Sequence, residues 1–257
     1  MSYPERTNTT TPDTTTPDTR SSDIKSMHSQ NITIQNIGSH SINKKRQASH
    51  KHGLEIQQLN VQLEQLTLSY NLSVTTGEIL AIQGTSGVGK TTLLNTIAGF
   101  QHAKSGTLLW QGSELLGLPA DKRPVSMLFQ EYNLFEHISV LDNLTLGFTG
   151  LIPKQALIAA AEHLGLADQI SKMPTELSGG QRQRVGLIRT LLRPEPIILL
   201  DEPFAELDQN TRLQAAQWTR EVAKQQGKTL LLVTHQQEDV EVVADSTLVL
   251  QQSKSAD

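Results

Sequence analysis

The sequence predicts an α/β protein in which a mostly parallel sheet is flanked by helices. Two observations favour this fold: short apolar runs alternate with segments of helical periodicity along residues 54–250, and the run 197–200 is apolar without interruption. A continuously apolar strand is typical of a parallel sheet that is covered on both faces. Such a sheet binds its ligand at the carboxyl ends of the strands, so the residues that follow each strand are the candidates for function.

The elements follow in order from residue 54, where the composition changes. Hydrophobic alternation predicts two short strands within 54–68 and a third at 70–74, which we expect to form an N-terminal antiparallel unit. Residues 133–192 are mostly helical in pattern and predict an inserted helical subdomain. Further strands are predicted at 79–82, 107–110, 125–129, 197–200, 229–234 and 247–250, and helices at 91–98, 155–166, 178–192, 210–226 and 238–244.

Composition limits the class of protein and its chemistry. The chain has 257 residues, of which 37% are hydrophobic, and a net charge of −4, which suits one or two globular domains. It contains no cysteine, so disulfides, thiolate metal sites and cysteine nucleophiles are excluded. No apolar run approaches the roughly 20 residues that span a bilayer, and no signal peptide is evident. We therefore expect the protein in the cytoplasm or on the cytoplasmic face of a membrane. The slightly acidic balance gives no general case for nucleic-acid binding.

Residues 1–53 differ in composition from the rest of the chain. They repeat Thr-Pro-Asp at 11–13 and 16–18 among Ser, Thr, Asn and Gln, with few apolar residues. Such a segment buries too little surface to offset its ordering entropy, so we expect a disordered polar tail followed by one folded domain over 54–257. The end of the tail, 44–52, is basic and rich in His, and a solvated tail is favoured there over a metal-binding or membrane-surface role.

The most informative segment is Gly84-Thr85-Ser86-Gly87-Val88-Gly89-Lys90-Thr91, which fits the phosphate-binding pattern G-x-x-x-x-G-K-[ST]. Its glycines allow successive backbone N–H groups to point at an anion. Lys90 supplies a charge for the outer phosphates of a nucleotide, and the Thr91 hydroxyl is a hard oxygen ligand for Mg²⁺. The start of the helix that follows, with Thr92, adds partial positive charge. The alternative is a glycine-rich turn between strand and helix that binds nothing.

Two adjacent carboxylates, Asp201 and Glu202, follow the buried strand predicted at 197–200. Phosphoryl transfer to water needs one carboxylate to hold Mg²⁺ and another to orient the attacking water. We therefore expect Asp201 at the metal and Glu202 at the water. Taken alone, the pair is equally compatible with an acidic helix or turn cap.

A second candidate anion site is Ser178-Gly179-Gly180-Gln181. The segment fits the capping box S-x-x-Q, in which the two polar side chains satisfy free N–H groups at a helix start. A hydroxyl and glycine N–H groups at a helix N-terminus also suit a phosphate, although a well-capped helix alone explains the pattern. Gln130 and His235 each end a predicted strand, where a side chain can reach a ligand, and His235 is placed to touch a γ-phosphate. A lone His is more often structural.

Taken in order, these motifs resemble those of ABC-transporter ATP-binding subunits over about residues 54–250. The resemblance implies an ABC-type ATPase with a P-loop NTPase core that binds ATP and Mg²⁺. It implies that Gln130 contacts the metal and links the nucleotide to membrane-spanning permease subunits, and that Asp208 lies in a loop at a dimer interface. It also implies a homodimer that holds two ATP molecules, with the phosphate loop of one copy facing Ser178 and Gly180 of the other. Catalysis would then rest on Glu202, His235 and Gln130.

A finer resemblance is carried by 94–100, 123–131, 133–135 and 201–204, which are similar to the ATP-binding subunits of bacterial thiamine importers. It implies a peripheral protein at the cytoplasmic face of the inner membrane that energises thiamine import, with a periplasmic solute-binding protein as an indirect partner. Relatives for ferric iron, polyamines and other solutes share much of the pattern, so another cargo stays open. A soluble ABC ATPase stays open too, although the stretch between Gln130 and Ser178 is short for the coiled-coil insertion such proteins usually carry. Glu202 and His235 argue against a non-enzymatic regulatory binder.

The sequence departs from the family pattern at two places, and it also predicts one docking surface. The interface loop is Ala205-Glu206-Leu207-Asp208 where the family usually has Ser-Ala-Leu-Asp. No aromatic residue is evident for stacking on adenine: Leu63 or Leu66 falls near its place, and Tyr70 is predicted as a core aromatic. Residues 129–144 mix loop signals with apolar side chains, which suits a groove for a helix of a membrane subunit, packing within the helical subdomain being the alternative. The apolar residues concerned are Tyr132, Leu134, Phe135 and Ile138.

Overall fold

The structure is a computed structural model that describes residues 53–64, 66–131 and 134–251 in full and the backbone of 30–33. Within the segment predicted to be a disordered tail, residues 30–33 form a short strand that pairs in parallel with the strand at 66–74. The predictions for 1–29 and 34–52, including the basic, His-rich stretch, fall outside the described residues and stay predictions.

The described strands and helices follow one another along a single chain of alternating elements. The strands are β1 (Gln30–Thr33), β2 (Leu54–Leu63), β3 (Leu66–Val74), β4 (Ile79–Gly84), β5 (Ser105–Trp110), β6 (Ser113–Glu114), β7 (Val125–Leu128), β8 (Ile197–Asp201), β9 (Thr229–Val233) and β10 (Ser246–Leu250). The α-helices are α1 (Lys90–Ala98), α2 (Val140–Thr145), α3 (Lys154–His163), α4 (Gly179–Leu192), α5 (Gln209–Gln225) and α6 (Gln237–Val243).

The central sheet has the strand order β10-β4-β9-β8-β7, and every neighbouring pair in it is parallel. The predicted parallel sheet is therefore confirmed. Because all five strands run the same way, the segments that follow β4, β7, β8 and β9 meet at one edge. These segments carry the phosphate loop, Gln130, Glu202 and His235, so the fold brings the predicted site residues to that edge.

A second sheet, of order β1-β3-β2-β5-β6, is antiparallel except for its pairing of β1 with β3. The antiparallel unit is confirmed, but the division of 54–74 into three strands is wrong. The structure has two strands there, joined by a turn at Glu64, whose φ of 47° is left-handed. A non-glycine residue in that conformation gives no turn signal in the sequence.

The central sheet separates two apolar clusters, and side chains of β8 alternate between them. Ile197 and Leu199 point to the cluster formed with α1 and the antiparallel sheet, whereas Ile198 and Leu200 point to the cluster formed with the other helices. This alternation explains why β8 is apolar at every position. Both faces of the sheet are covered, so its carboxyl edge is where ligands can approach.

The segment between β7 and β8 contains α2, α3, α4 and two short 3₁₀ turns, as the predicted helical subdomain requires. α2, which was not predicted, begins after Ser139, whose hydroxyl accepts a hydrogen bond from the Asp142 N–H. α4 begins with the predicted capping box: the Ser178 hydroxyl accepts from the Gln181 N–H, and Gln181 Oε1 accepts from the Ser178 N–H. Among the described residues, no helix combines the length and apolar character needed to cross a membrane.

Candidate nucleotide-binding and catalytic site

The phosphate loop joins β4 to α1, and its glycines adopt left-handed backbone conformations, with φ of 77° at Gly87 and 104° at Gly89. Gly89 is also required for space, because a Cβ atom there would lie 2.7 Å from Tyr70 Oη and from Leu68 Cδ1. Lys90 Nζ lies inside the loop, donating to the backbone oxygens of Gly84 at 2.8 Å and Thr85 at 3.1 Å. The backbone of the loop therefore surrounds the Lys90 ammonium.

The antiparallel sheet contacts this loop through Tyr70, which lies in β3. The Tyr70 hydroxyl donates a hydrogen bond of 2.8 Å to the backbone oxygen of Gly89, the residue before α1. The ring is fully buried, which confirms the predicted core aromatic, and burial raises the pKa of Tyr70. The hydroxyl thus stays protonated and remains a donor to the loop. Nothing in the loop motif itself indicated this contact.

A cleft of about 360 Å³ opens at the carboxyl edge of the parallel sheet. It brings together most of the predicted site residues, from four different segments of the chain. Leu63 also lines it, in keeping with its expected position near the adenine. The lining residues are Leu63, Ser86, Gly87, Gly89, Lys90, Thr91, Thr92, Gln130, Asp201, Glu202, Val233 and His235. The predicted residues Ser178 to Gln181 and Asp208 do not line this cleft.

Asp201 ends β8 and is nearly buried, with 4% of its surface exposed. Burial raises the pKa of its carboxyl, while a hydrogen bond with the Thr91 side chain and the charges of Lys90 and His235 oppose the rise. Lys90 is affected in the opposite sense: burial lowers its pKa, and the charges of Glu202 and Asp201 raise it. Lys90 and each carboxylate therefore favour the charged form of the other, in opposition to burial, which favours the neutral form of all three groups.

Glu202 has a left-handed backbone, with φ of 50°, which is uncommon for a residue with a side chain. Its N–H donates to the backbone oxygen of Val233 at 3.0 Å, and its own backbone oxygen accepts from Gln183 Nε2 at 3.1 Å. Its Oε1 lies 3.2 Å from His235 Nε2, yet it is buried without a well-formed hydrogen bond from any described residue. Burial raises the pKa of this carboxyl, Asp201 adds to the rise and His235 opposes it.

His235 is half exposed and lies in a loop that a partly buried ion pair holds in place. Asp239, 2% exposed, accepts hydrogen bonds of 2.7 and 2.8 Å from the Arg212 guanidinium and one of 2.6 Å from the Thr234 hydroxyl. The same hydroxyl accepts from the Gln236 N–H at 3.1 Å. Both neighbours of His235 are thus fixed. The sequence prediction missed this network, which joins α5 and α6.

The predicted second anion site lies at the N-terminus of α4, separate from the cleft. Two groups of Glu206, in the turn after β8, lie against this helix start. A Cβ atom at Gly179 would lie 1.9 Å from Glu206 Oε2, so that carboxylate lies directly against the helix start. A Cβ atom at Gly180 would lie 3.1 Å from the Glu206 backbone oxygen. Asp208, predicted at a dimer interface, caps α5 by accepting from the N–H groups of Asn210 and Thr211.

The groove predicted at 129–144 is present in part. A cavity of about 310 Å³ is lined by Phe100, Phe129 and Phe135, and the first two rings meet edge to face at 5.1 Å. Phe100 is 58% exposed and Phe135 is 50% exposed. Leu134 packs against the core instead, as the alternative interpretation expected, and Tyr132 falls outside the described residues.

Comparison with known proteins identifies relatives along most of the chain. The profile of the ABC transporter family matches residues 68–205. Proteins described as "Thiamine import ATP-binding protein ThiQ" match from Vibrio cholerae (40% identical, covering 78% of this chain and 87% of the relative) and Escherichia coli (43% identical, covering 74% and 84%).

Solved structures agree with these sequence matches. A dimeric structure of the ATP-binding cassette MJ0796 in a post-hydrolysis state, bound to ADP and Pi, superposes with a TM-score of 0.70 at 25% identity. The superposition covers 77% of this chain and 94% of that cassette. A second dimeric structure of the same cassette, described as a bacterial ABC transporter cassette, gives a TM-score of 0.69 with the same coverage.

Proposed function

This chain belongs to the ABC transporter family, and on that premise we propose that it hydrolyses ATP to drive the import of thiamine across a bacterial inner membrane. One observation supports the ATPase activity above the others: a single cleft contains the phosphate loop, Asp201, Glu202 and His235. The cargo is supported by the two thiamine-import relatives, which are 40% and 43% identical. We place the protein at the cytoplasmic face of the membrane, where ATP is available.

The nucleotide phosphates bind in the loop between β4 and α1. The backbone N–H groups of the loop and the start of α1 supply partial positive charge, and Lys90 donates to the outer phosphates. An ammonium has three donors, so Lys90 can turn from the backbone oxygens of Gly84 and Thr85 to phosphate oxygens without losing hydrogen bonds. Leu63 offers an apolar surface to the base where relatives use an aromatic ring.

The donor set in the cleft fits Mg²⁺. Thr91 offers a hydroxyl, Gln130 an amide oxygen and Asp201 a carboxylate, all hard oxygen ligands that line the same cleft. No described group of three or more His, Cys, Asp or Glu side chains is arranged to bind a metal by itself, which suits an ion that keeps waters and phosphate oxygens as ligands. Bound there, Mg²⁺ would neutralise charge on the phosphate oxygens.

Glu202 orients the attacking water and accepts its proton. The water oxygen forms a bond to the γ-phosphorus while the bond from that phosphorus to the β–γ bridging oxygen breaks, giving ADP and phosphate. The Glu202 Oε1 is buried and receives no well-formed hydrogen bond from the described residues, so it is an acceptor suited to that water. His235, 3.2 Å away, is placed to contact the γ-phosphate while its charge, when protonated, favours the ionised form of Glu202.

The two anion sites of one chain bind two different nucleotides of a homodimer. The N-terminus of α4 does not line the cleft of its own chain, so a phosphate bound there belongs to the nucleotide of a second copy. The dimeric cassette structures that superpose on this chain support this arrangement. Ser178 and Gly180 of one copy then face the phosphate loop of the other.

A permease subunit docks in the groove formed by Phe100, Phe129 and Phe135. Exposed aromatic rings around a cavity between the parallel sheet and the helical subdomain suit an inserted helix. A periplasmic solute-binding protein acts through that permease and does not contact this chain. Replacing Phe135 with a charged residue should uncouple transport while basal ATP hydrolysis continues. The matched control is Leu213→Asp on α5, because that leucine is 48% exposed.

The experiment that tests the cargo is deletion of the gene in its own host, followed by measurement of labelled thiamine uptake. Uptake should fall to background, return with the parental gene and not return with Lys90→Ala. If thiamine uptake is unchanged while uptake of ferric iron or a polyamine is lost, the cargo is wrong and the importer function stands. If no uptake changes and the purified chain still hydrolyses ATP, a soluble ABC ATPase is the better assignment.

A further inference from the structure

Gln183 is a buried polar side chain of α4 whose amide is bonded at both ends to the turn that follows β8. Its Nε2 donates to the backbone oxygen of Glu202 at 3.1 Å, and its Oε1 accepts from the backbone N–H of Glu206 at 3.0 Å. The side chain is fully shielded from solvent. A buried amide that is satisfied by the backbone of another element fixes the position of one element against the other.

The backbone that Gln183 holds is the strained one that carries Glu202. A left-handed conformation at a non-glycine residue persists only where its surroundings determine it, and such residues cluster at functional sites. Here the Glu202 N–H is held by Val233 of β9. Its backbone oxygen is held by Gln183 and, at 3.3 Å, by the Ala205 N–H within the same turn. Gln183 therefore ties this turn to α4 through hydrogen bonds at both ends of its amide.

The helix that carries Gln183 also carries the second anion site. Gln183 lies five residues after Ser178, about 7–8 Å along the axis at 1.5 Å per residue. The helix start packs on the same turn, because a Cβ atom at Gly180 would lie 3.1 Å from the Glu206 backbone oxygen. A displacement of α4 upon binding a phosphate at its N-terminus would therefore be transmitted to the backbone of Glu202.

We propose that Gln183 is a positioning residue that sets the Glu202 carboxylate for hydrolysis and links it to phosphate bound at the N-terminus of α4. This inference rests on the proposed ATPase function and on the dimer in which α4 meets the nucleotide of the partner copy. Through Gln183, the occupancy of one nucleotide site adjusts the catalytic group of the other site.

The test is a double-mutant cycle between Gln183 and Glu202, measured as kcat and KM for ATP hydrolysis by the purified full chain. Gln183→Met keeps the length of the side chain and removes both hydrogen bonds. Because a misplacement of about 1 Å can cost about 100-fold in rate, we expect kcat to fall by about 10- to 100-fold with KM within about threefold of the parent. In the Glu202→Gln background the same substitution should have no further effect, since Gln183 acts through that carboxylate.

Two further variants separate positioning from stability. Thr190→Val removes a buried hydroxyl of the same helix that donates to the backbone oxygen of Gly186 one turn earlier, so its loss should lower the melting temperature and spare kcat. Gln183→Glu keeps an acceptor for the Glu206 N–H and loses the donor to Glu202, so it should reproduce the kcat defect. Gln183→Glu also replaces Gln183→Met in the double-mutant cycle if Gln183→Met fails to fold.

The inference is overturned by a parental kcat in Gln183→Met, by an equal loss of kcat in Thr190→Val, or by a full additional loss in the Glu202→Gln background. Failure of the proposed function looks different. In that case the parental chain does not hydrolyse ATP, or Glu202→Gln leaves its rate unchanged, and the role of Gln183 falls with it.

Discussion

Glu202→Gln tests the assignment of the water-orienting group with the smallest change in structure. The substitution keeps the length of the side chain and its hydrogen-bonding capacity. The backbone bonds of residue 202 to Val233 and Gln183 are unaffected, since neither involves the carboxylate. What is lost is a negative charge in a buried position 3.2 Å from His235 Nε2. A fall in the rate of hydrolysis therefore measures how much that charge contributes to the rate.

The magnitude follows from the role of a general base, which typically contributes about 10²–10⁴-fold. We expect the rate of phosphate release to fall by that factor, equivalent to about 3–5 kcal/mol in barrier height. Burial raises the pKa of Glu202, and a base is active only when deprotonated. The parental rate should therefore fall as the pH drops through this raised pKa, at a higher pH than for an ordinary glutamate. The residual rate of Glu202→Gln should lack that dependence.

Phosphate release in a single turnover and size-exclusion chromatography with and without ATP give the two readouts. ATP binding by Glu202→Gln should stay near the parental value, since both anion sites are intact, and the protein should accumulate as an ATP-bound dimer. Adding Ser178→Arg, which fills the second anion site with a bulky cation, should return it to monomer. Glu221→Gln, the same change of charge at an exposed position of α5, is the control.

A parental rate in Glu202→Gln would refute the assignment of the base. An equal loss in Glu221→Gln would show that net charge, and not position, is responsible. If Glu202→Gln loses hydrolysis and binds ATP but stays monomeric, the base is correct and the dimer does not form from the isolated chain.

Three other predictions follow from separate parts of the structure. Tyr70→Phe should lower the free energy of unfolding by about 0.5–1.5 kcal/mol in denaturant melts and weaken ATP binding, because the Gly89 oxygen loses one donor but keeps its helical bond from Leu93. Deletion of residues 1–52 removes β1, which lies at the edge of the second sheet and pairs with β3 at four positions, so the melting temperature should change little and the ATPase rate should be unchanged. A large loss in either would show that this segment stabilises the domain or regulates it. Glu206→Ala should reduce the ATP concentration needed for dimerisation by about two- to fivefold, since a carboxylate against the start of α4 competes with a phosphate there; an increase would show that this charge aids assembly.

The phosphate loop, Asp201, Glu202 and His235 could be placed from the sequence because each follows a predicted strand of a parallel sheet. Once the strands run the same way, their carboxyl ends must meet, and the cleft follows from the order of motifs. The bounds of the predicted elements agreed to within a few residues except over 54–74, where the turn uses a left-handed Glu64, whereas β1, β6 and α2 were not predicted. A turn without Gly, Pro, Asn or Asp leaves no pattern to detect.

The contacts that hold these groups could not be predicted, because they depend on how different layers pack. Tyr70 and Gly89 are 19 residues apart, as are Gln183 and Glu202, and neither separation reflects a helical or strand period. Gln183 stands two residues after the capping box, and nothing in the sequence indicated its contact with the backbone of Glu202. Asp239 was one acid among several in a short helix. Buried polar side chains of this kind become visible only when their partners are known.

The contacts that hold the phosphate loop and Glu202 come from different layers of the fold, which would allow nucleotide binding and hydrolysis to change independently. The phosphate loop rests on the antiparallel sheet through Tyr70, whereas Glu202 is held from the helical subdomain through Gln183. His235 is held by a third set, in which Arg212 and Asp239 join α5 to α6. A shift of the helical subdomain would therefore move the backbone of Glu202, the proposed water-orienting residue, while the contact of Tyr70 with the phosphate loop stays in place. Since the proposed permease groove borders the same subdomain, docking there can change the rate of hydrolysis without first changing the affinity for ATP.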